Sequence, residues 1–248
     1  MAKMFSLILL VIFTGVLPAH AFQQPEYSRA DSLLADSVLS LTYKNQGLYT
    51  LYDDLKPVSS VARFEIDFNK LERVCAWLSQ DSVFLFLPLR NDSPPGRGMV
   101  SIMAVNQERF KKELAGNPEF WSSKGLDPTQ CPSVVLAEIE TYDVSNRHRA
   151  FGYLYGYPHY AVSFFVEAHE SLYQAGVELP RSFFTIPVYS GMEGKFIYAY
   201  PGDQQPREED LELLEKAETV LEEFRAGFEP FREDNPDMPF LKWYFDNQ

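Results

Sequence analysis

Three histidines stand close together in this chain, His148, His159 and His169. Arg147 and Arg149 flank the first of them. The chain has 22 basic against 35 acidic residues and a formal net charge of −13, so this segment is a local excess of base. Imidazole titrates near neutral pH and can act as a general base. With arginines beside it, it can also hold a carboxylate or another anion. His148, His159 and His169 are therefore the candidate catalytic residues, and Arg147 and Arg149 candidate ligand contacts. The competing account is a basic patch at helix ends that offsets nearby acids, which folds carry without any function.

The stretch GYLYGYPHYAVSFFVEAHES, residues 152–171, adds Tyr153, Tyr155, Tyr157 and Tyr160. Exposed tyrosines can stack on sugar rings or peptides; buried ones are ordinary amphipathic core residues. Tyr153 and Tyr157 join the candidate ligand contacts. A second candidate lies around the polar loop NDSPPGRG. There Arg90 and Arg97 supply charge, and Gly96 and Gly98 could open backbone N–H groups to an anion. A plain solvent loop is the rival account.

Several chemistries have no motif. No GxSxG elbow, Walker loop, GxGxxG turn or EF-hand loop occurs. His169-Glu170-Ser171-Leu172-Tyr173 begins like HExxH but has Tyr173 where zinc needs its second histidine. No CxxC pair exists. Neither a metal nor a cofactor is expected on these grounds. The acidic balance argues against nucleic acid, whose phosphates reward Lys/Arg clusters. Asn91-Asp92-Ser93 matches a glycosylation sequon, a pattern common by chance.

The N-terminus reads MAKMFSLILLVIFTGVLPAHAF. Lys3, the apolar run after it and the small-x-small triplet Ala19-His20-Ala21 form a secretory signal peptide over 1–21. The run is shorter than the roughly 20 apolar residues of a spanning helix. No second such run follows, so no integral membrane segment is expected after cleavage. The reading is an exported protein, periplasmic or secreted, with one domain over 22–248. Export permits a disulfide between Cys75 and Cys131; two free thiols are the alternative.

The elements that must position the histidines follow from periodicity. Residues 27–41 read as a helix with Leu33, Leu34, Val38 and Leu41 on its inner face. Residues 61–66 read as a strand, and Asp67 caps a helix that turns Phe68, Leu71, Val74, Cys75 and Leu78 inward. VFLFLPLR and MVSIMAVN read as a hairpin of strands covered on both faces. QERFKKELAG reads as a helix and PSVVLAEIE as a strand. RSFFTIPVYS and GKFIYAYP flank the turn GMEG as a second hairpin, with Pro187 favouring an edge.

From Pro158, His159, Ser163, Glu167, Glu170, Ser171 and Gln174 share one polar arc of a helix, with Phe165, Leu172 and Tyr173 on the apolar side. His169 also falls on that apolar side, between Phe165 and Val162. A long helix starts at Pro206 and stops at Gly227, burying Leu214, Ala217, Leu221 and Phe224. The aromatic tail after it should pack. The fold class is α+β: a single domain with a mixed or antiparallel sheet of five to six strands against helices. With no catalytic motif, the function expected is non-catalytic binding or an envelope-associated role, with an unknown small molecule or protein as partner. The alternative is an exported hydrolase or small-ligand enzyme built on a histidine of the 148–169 segment.

Overall fold

The computed structural model describes residues 27–53, 55–80, 82–91 and 99–247. The expected signal peptide therefore lies outside the described residues, as does the loop holding Arg97. Among the described residues no helix is long and apolar enough to cross a membrane.

Helix α1 (Arg29–Lys44) opens with a capping box: Asp31 N donates to Ser28 Oγ, and Ser28 N donates back to the Asp31 carboxylate. Arg73 from α3 (Phe68–Leu78) pairs with the same carboxylate at 2.5 Å. Together, the Ser28 hydroxyl first and Arg73 second, they hold Asp31 below the usual carboxylate range. The buried stripe of α1 is Ala35, Val38, Leu39, Thr42 and Tyr43. Leu33, assigned inward from the sequence, is exposed: the face is turned by one residue from the one expected. Helix α2 (Leu48–Leu51) is a single buried turn. Helix α3 is as expected, with Asp67 accepting from Lys70 N and with Leu71, Val74, Cys75 and Leu78 buried.

Strands β1 (Val58–Glu65), β2 (Phe84–Asn91) and β3 (Met99–Asn106) form an antiparallel sheet in the order β1-β3-β2. β3 is central, and its side chains divide strictly by parity. Val100, Ile102 and Ala104 join one core, with α1, α3 and the C-terminal helices; Met103 and Val105 join the other. This double covering is why β2 and β3 read as near-continuous apolar runs. Pro88 is tolerated because β2 is an edge strand.

Helices α4 (Gln107–Gly116), α5 (Pro118–Ser123), α6 (Pro132–Glu140) and α7 (Val144–Leu154) build the second core. Helix α6 corrects the strand expected at 132–140. Pro132 sits in its first turn, Val135, Leu136 and Ile139 are buried, and Val134 is exposed. That is a helical stripe; a run this short does not separate the two periods by itself.

After helix α8 (His159–Glu170) come strands β4 (Arg181–Thr185) and β5 (Ile197–Pro201), paired as a separate two-stranded antiparallel sheet. The single sheet of five to six strands is thus replaced by two small antiparallel sheets. Five helices separate β3 from β4 in the chain, and β5 packs on α8 rather than on the three-stranded sheet. Pro187 lies beyond the end of β4, not within it.

Helix α9 (Glu208–Asp234) runs past the expected stop at Gly227 and carries Pro230 inside. It buries Ala217, Val220, Leu221, Phe224 and Phe228; Leu214 is only half-buried. Gly227 is there for a close approach: a Cβ would lie 2.9 Å from Trp243 Cη2. Trp243 belongs to α10 (Pro239–Asp246), which packs the aromatic tail as expected, burying Phe240, Leu241, Trp243 and Tyr244. Its first turn is bonded to α1, Leu241 N donating to Asp36 Oδ1.

Candidate functional site

Helix α7 starts at Asp143, whose side chain accepts from Asn146 N. One turn on, His148 projects toward α8, and Phe151, Gly152 and Tyr155 follow on the same side. Gly152 lets the two helices touch. A Cβ there would stand 2.7 and 2.8 Å from the two γ-methyls of Val162, closer than packed atoms approach. Helix α8 is capped at Pro158 and places Ala161, Val162 and Phe165 opposite α7.

The third wall is the β4–β5 hairpin. Arg181 and Phe183 alternate along β4, so both point to one face, and Phe183 pairs with Ala199 in the ladder. These three, with Ile197 and Tyr198, close a cavity of about 400 Å³ between α7, α8 and the hairpin. Its wall is largely aromatic: Phe151, Tyr155, Tyr157, Phe165, Phe183 and Tyr198.

Two cationic or cation-forming groups line the same space, His148 and Arg181, and among the described residues no carboxylate lines it. Arg181 pairs at 3.1 Å with the exposed Glu178 outside the cavity. His148 Nδ1 is shut off from water and has no hydrogen-bond partner. Burial first, then the neighbouring His169 and Arg147, hold its pKa below the ordinary histidine value.

The structure joins two of the three candidate histidines. The His148 and His169 rings meet at 4.7 Å between centroids, perpendicular to one another. His169 is half-buried and lies tilted against Tyr173, 4.3 Å between ring centroids, and Tyr173 is 75% exposed. Leu172 and Tyr173, expected on the buried side, are exposed, whereas His169, the last residue but one of α8, is half-buried. Helix α8 gives way to a π-helical turn at Ser171–Ala175, and the 100° spacing no longer applies there. Phe165 is likewise partly exposed, at the cavity's rim. His159 is apart from the pair and packs on Tyr153, whose other neighbours are Phe120 and Trp121. Tyr153 is thus a core residue, whereas Tyr157 lines the cavity.

Among the arginines, Arg149 donates to Ser163 Oγ on the outer surface, and Arg147 bears on the site only through its charge. Arg97 is outside the described residues; of Arg90 only the backbone, paired with Val100, is described. The possible Cys75–Cys131 bridge is not formed: Cys75 is buried in α3 and Cys131 is exposed at the start of α6.

Two features escaped the sequence reading. Arg181 and Phe183 share a strand face, which alternation alone would reveal, but nothing in the chain places that face against α7. Lys56 is the other. It is completely buried, donates to Gln46 Oε1, and lies over the rings of Phe196, Tyr157 and Tyr155 at 3.9, 4.9 and 5.7 Å. The two tyrosines thus border both the cavity and the lysine. Burial holds the Lys56 pKa well below that of a free amine.

Comparison of the chain with protein-family models, with curated proteins and with solved structures finds no match.

Proposed function

We propose that the protein is an exported binding protein that holds a small, largely apolar molecule between α7, α8 and the β4–β5 hairpin. One observation carries this reading: the cavity of about 400 Å³ with an aromatic wall and a few polar groups. A space of roughly 300–1,000 Å³ lined this way is what small-ligand sites share. Aromatic rings contribute dispersion and apolar burial to any flat guest. The export signal over 1–21 supports a role outside the cytoplasm.

The hydrolase alternative has less support. A general base works best when a second group orients it, and His148 Nδ1 has no partner. The titratable groups that act on it are His169, whose ring meets it at 4.7 Å, and Arg147, and neither is a carboxylate.

The test is calorimetric titration of the chain lacking residues 1–21 with a panel of apolar aromatic molecules, against the Ala199→Leu variant. Ala199 is nearly buried and lines the cavity, so the larger side chain fills space that a guest would use. Micromolar binding by the natural chain that falls at least tenfold in a folded variant is the expected result. Absence of binding across the panel, or binding indifferent to the substitution, overturns the reading.

A further inference from the structure

The charge inside the cavity is opposite to the charge of the protein. The chain is acidic, at −13, yet among the described residues the lining includes His148 and Arg181 and no carboxylate. An apolar guest could stack on either group but would leave their hydrogen-bond donors unused. Arginine presents a planar fork that fits a carboxylate, and its present partner, Glu178, is an exposed residue three positions away along the chain. His148 lines the cavity as a half-buried ring; its Nδ1 is shut off from water, so Nε2 is the nitrogen left for a guest to bond. The flat aromatic walls complete the description of the guest.

We propose, building on the cavity reading above, that the ligand is an aromatic carboxylate whose acid group is held by Arg181 and His148, and that its binding draws a proton onto His148. The imidazole, whose protonation its surroundings disfavour in the free protein, becomes an imidazolium beside the carboxylate; the proton comes from solvent, and no bond other than N–H forms. The groups around His148 set the direction. Arg147 on its own helix and His169 from α8 oppose a positive charge there, and Arg181 from β4 lies on the same cavity. The phenols of Tyr155, Tyr157 and Tyr198 stay neutral at these pH values, their pKa values being pushed up by burial. In the free protein nothing on the cavity wall compensates this crowding of positive charge. A bound carboxylate does, which raises the His148 pKa and makes affinity increase as pH falls from 8 to 6.

The experiment compares 1-naphthylacetate with its neutral counterpart 1-naphthylacetamide, by calorimetry at pH 6, 7 and 8 and in two buffers of different ionisation enthalpy. A charge-assisted pair should favour the acid roughly ten- to a hundredfold at pH 6. The preference should shrink toward pH 8, with measurable proton uptake near neutrality. His148→Phe, which keeps a ring against Phe165, should remove the proton uptake and flatten the pH dependence; His148→Asn is the second variant, and each is checked for a native unfolding transition. Arg181→Gln should weaken the acid about tenfold. Equal affinity for acid and amide at pH 6, or unaltered proton uptake in the folded His148 variants, overturns the proposal while leaving the apolar cavity reading intact. Failure of both probes and of the whole apolar panel overturns both.

Discussion

Lys56 offers the sharpest test of the energetics of this fold. Its ammonium would sit with no exposed surface, one hydrogen bond to Gln46 and, among the described residues, no charged partner acting on it. Two effects compete. Removing an ammonium from water costs several kcal/mol even after relaxation. Cation–π attraction, here to rings at 3.9, 4.9 and 5.7 Å, is worth about 2 kcal/mol where water is excluded. Desolvation is the larger, so the folded chain holds Lys56 as the neutral amine at a pH where the unfolded chain protonates it.

The sign follows from linkage. The unfolded state binds the extra proton, so stability rises with pH between the lowered folded pKa and the unfolded value of about 10.4. The slope is about 1.4 kcal/mol per pH unit. Below the folded pKa the slope vanishes and the penalty stays at its full size. Lys56→Met keeps the length of the side chain and removes the charge. Urea denaturation of the natural chain and the variant at pH 9 and pH 10 isolates the effect, because other groups titrate in both and cancel in the difference. The stability gap between variant and natural chain should close by about 1.2 kcal/mol across that unit, slightly less than the full slope because the unfolded lysine is already partly deprotonated at pH 10. Loss of the Gln46 contact changes the gap by a constant, not its slope. A gap independent of pH would mean that the three rings hold the ammonium, and would refute the argument.

Three further outcomes are expected. Asp210, fully buried, accepts from Tyr160 and Tyr198 and from Arg207 N at the start of α9. Asp210→Ala strands these donors and should cost about 3 kcal/mol or more in chemical denaturation, whereas Glu209→Ala on the exposed side should stay within about 0.5 kcal/mol. Gly152→Ala gains up to about 1 kcal/mol of helix propensity but drives a Cβ against both methyls of Val162, which costs about 1–3 kcal/mol. A net loss, relieved by adding Val162→Ala in a double-mutant cycle, is expected; an increase in stability from the single change would show that α7 and α8 can separate. Cys131 is exposed, and the Ser133 hydroxyl lowers its thiol pKa, while burial pushes Cys75 up to about 12. A thiol reagent should therefore titrate one cysteine in the native protein and the second only in denaturant. Two silent cysteines in unreduced native protein would refute the free-thiol assignment.

Much of the fold was legible where local rules act alone. Asp67 and the stripe from Leu71 to Leu78 specify α3 whatever surrounds it. The apolar runs of β2 and β3 announce strands covered on both faces, and both faces are indeed covered. The failures have local causes too. The 132–140 run is too short for its period to be read against its composition. Gly227 carries the signature of a helix stop, but it accommodates Trp243, a residue far along the chain that no local rule can weigh.

The same division runs through the site. By itself the sequence determined that base concentrates around His148 in an acidic chain, that a Gly/Tyr-rich turn leads into α8, and that the familiar catalytic motifs are missing. These are matters of residue type and short spacing. Only the tertiary structure decided that His148 meets His169 and that His159 turns instead to Tyr153. It alone brought Arg181 of β4 to the cavity beside α7 and buried Lys56 among three rings. The physical reason is that contacts between residues distant in the chain come from how helix faces and the hairpin bury their apolar surface together. That packing is set by the shape of the whole core, which no stretch of sequence contains.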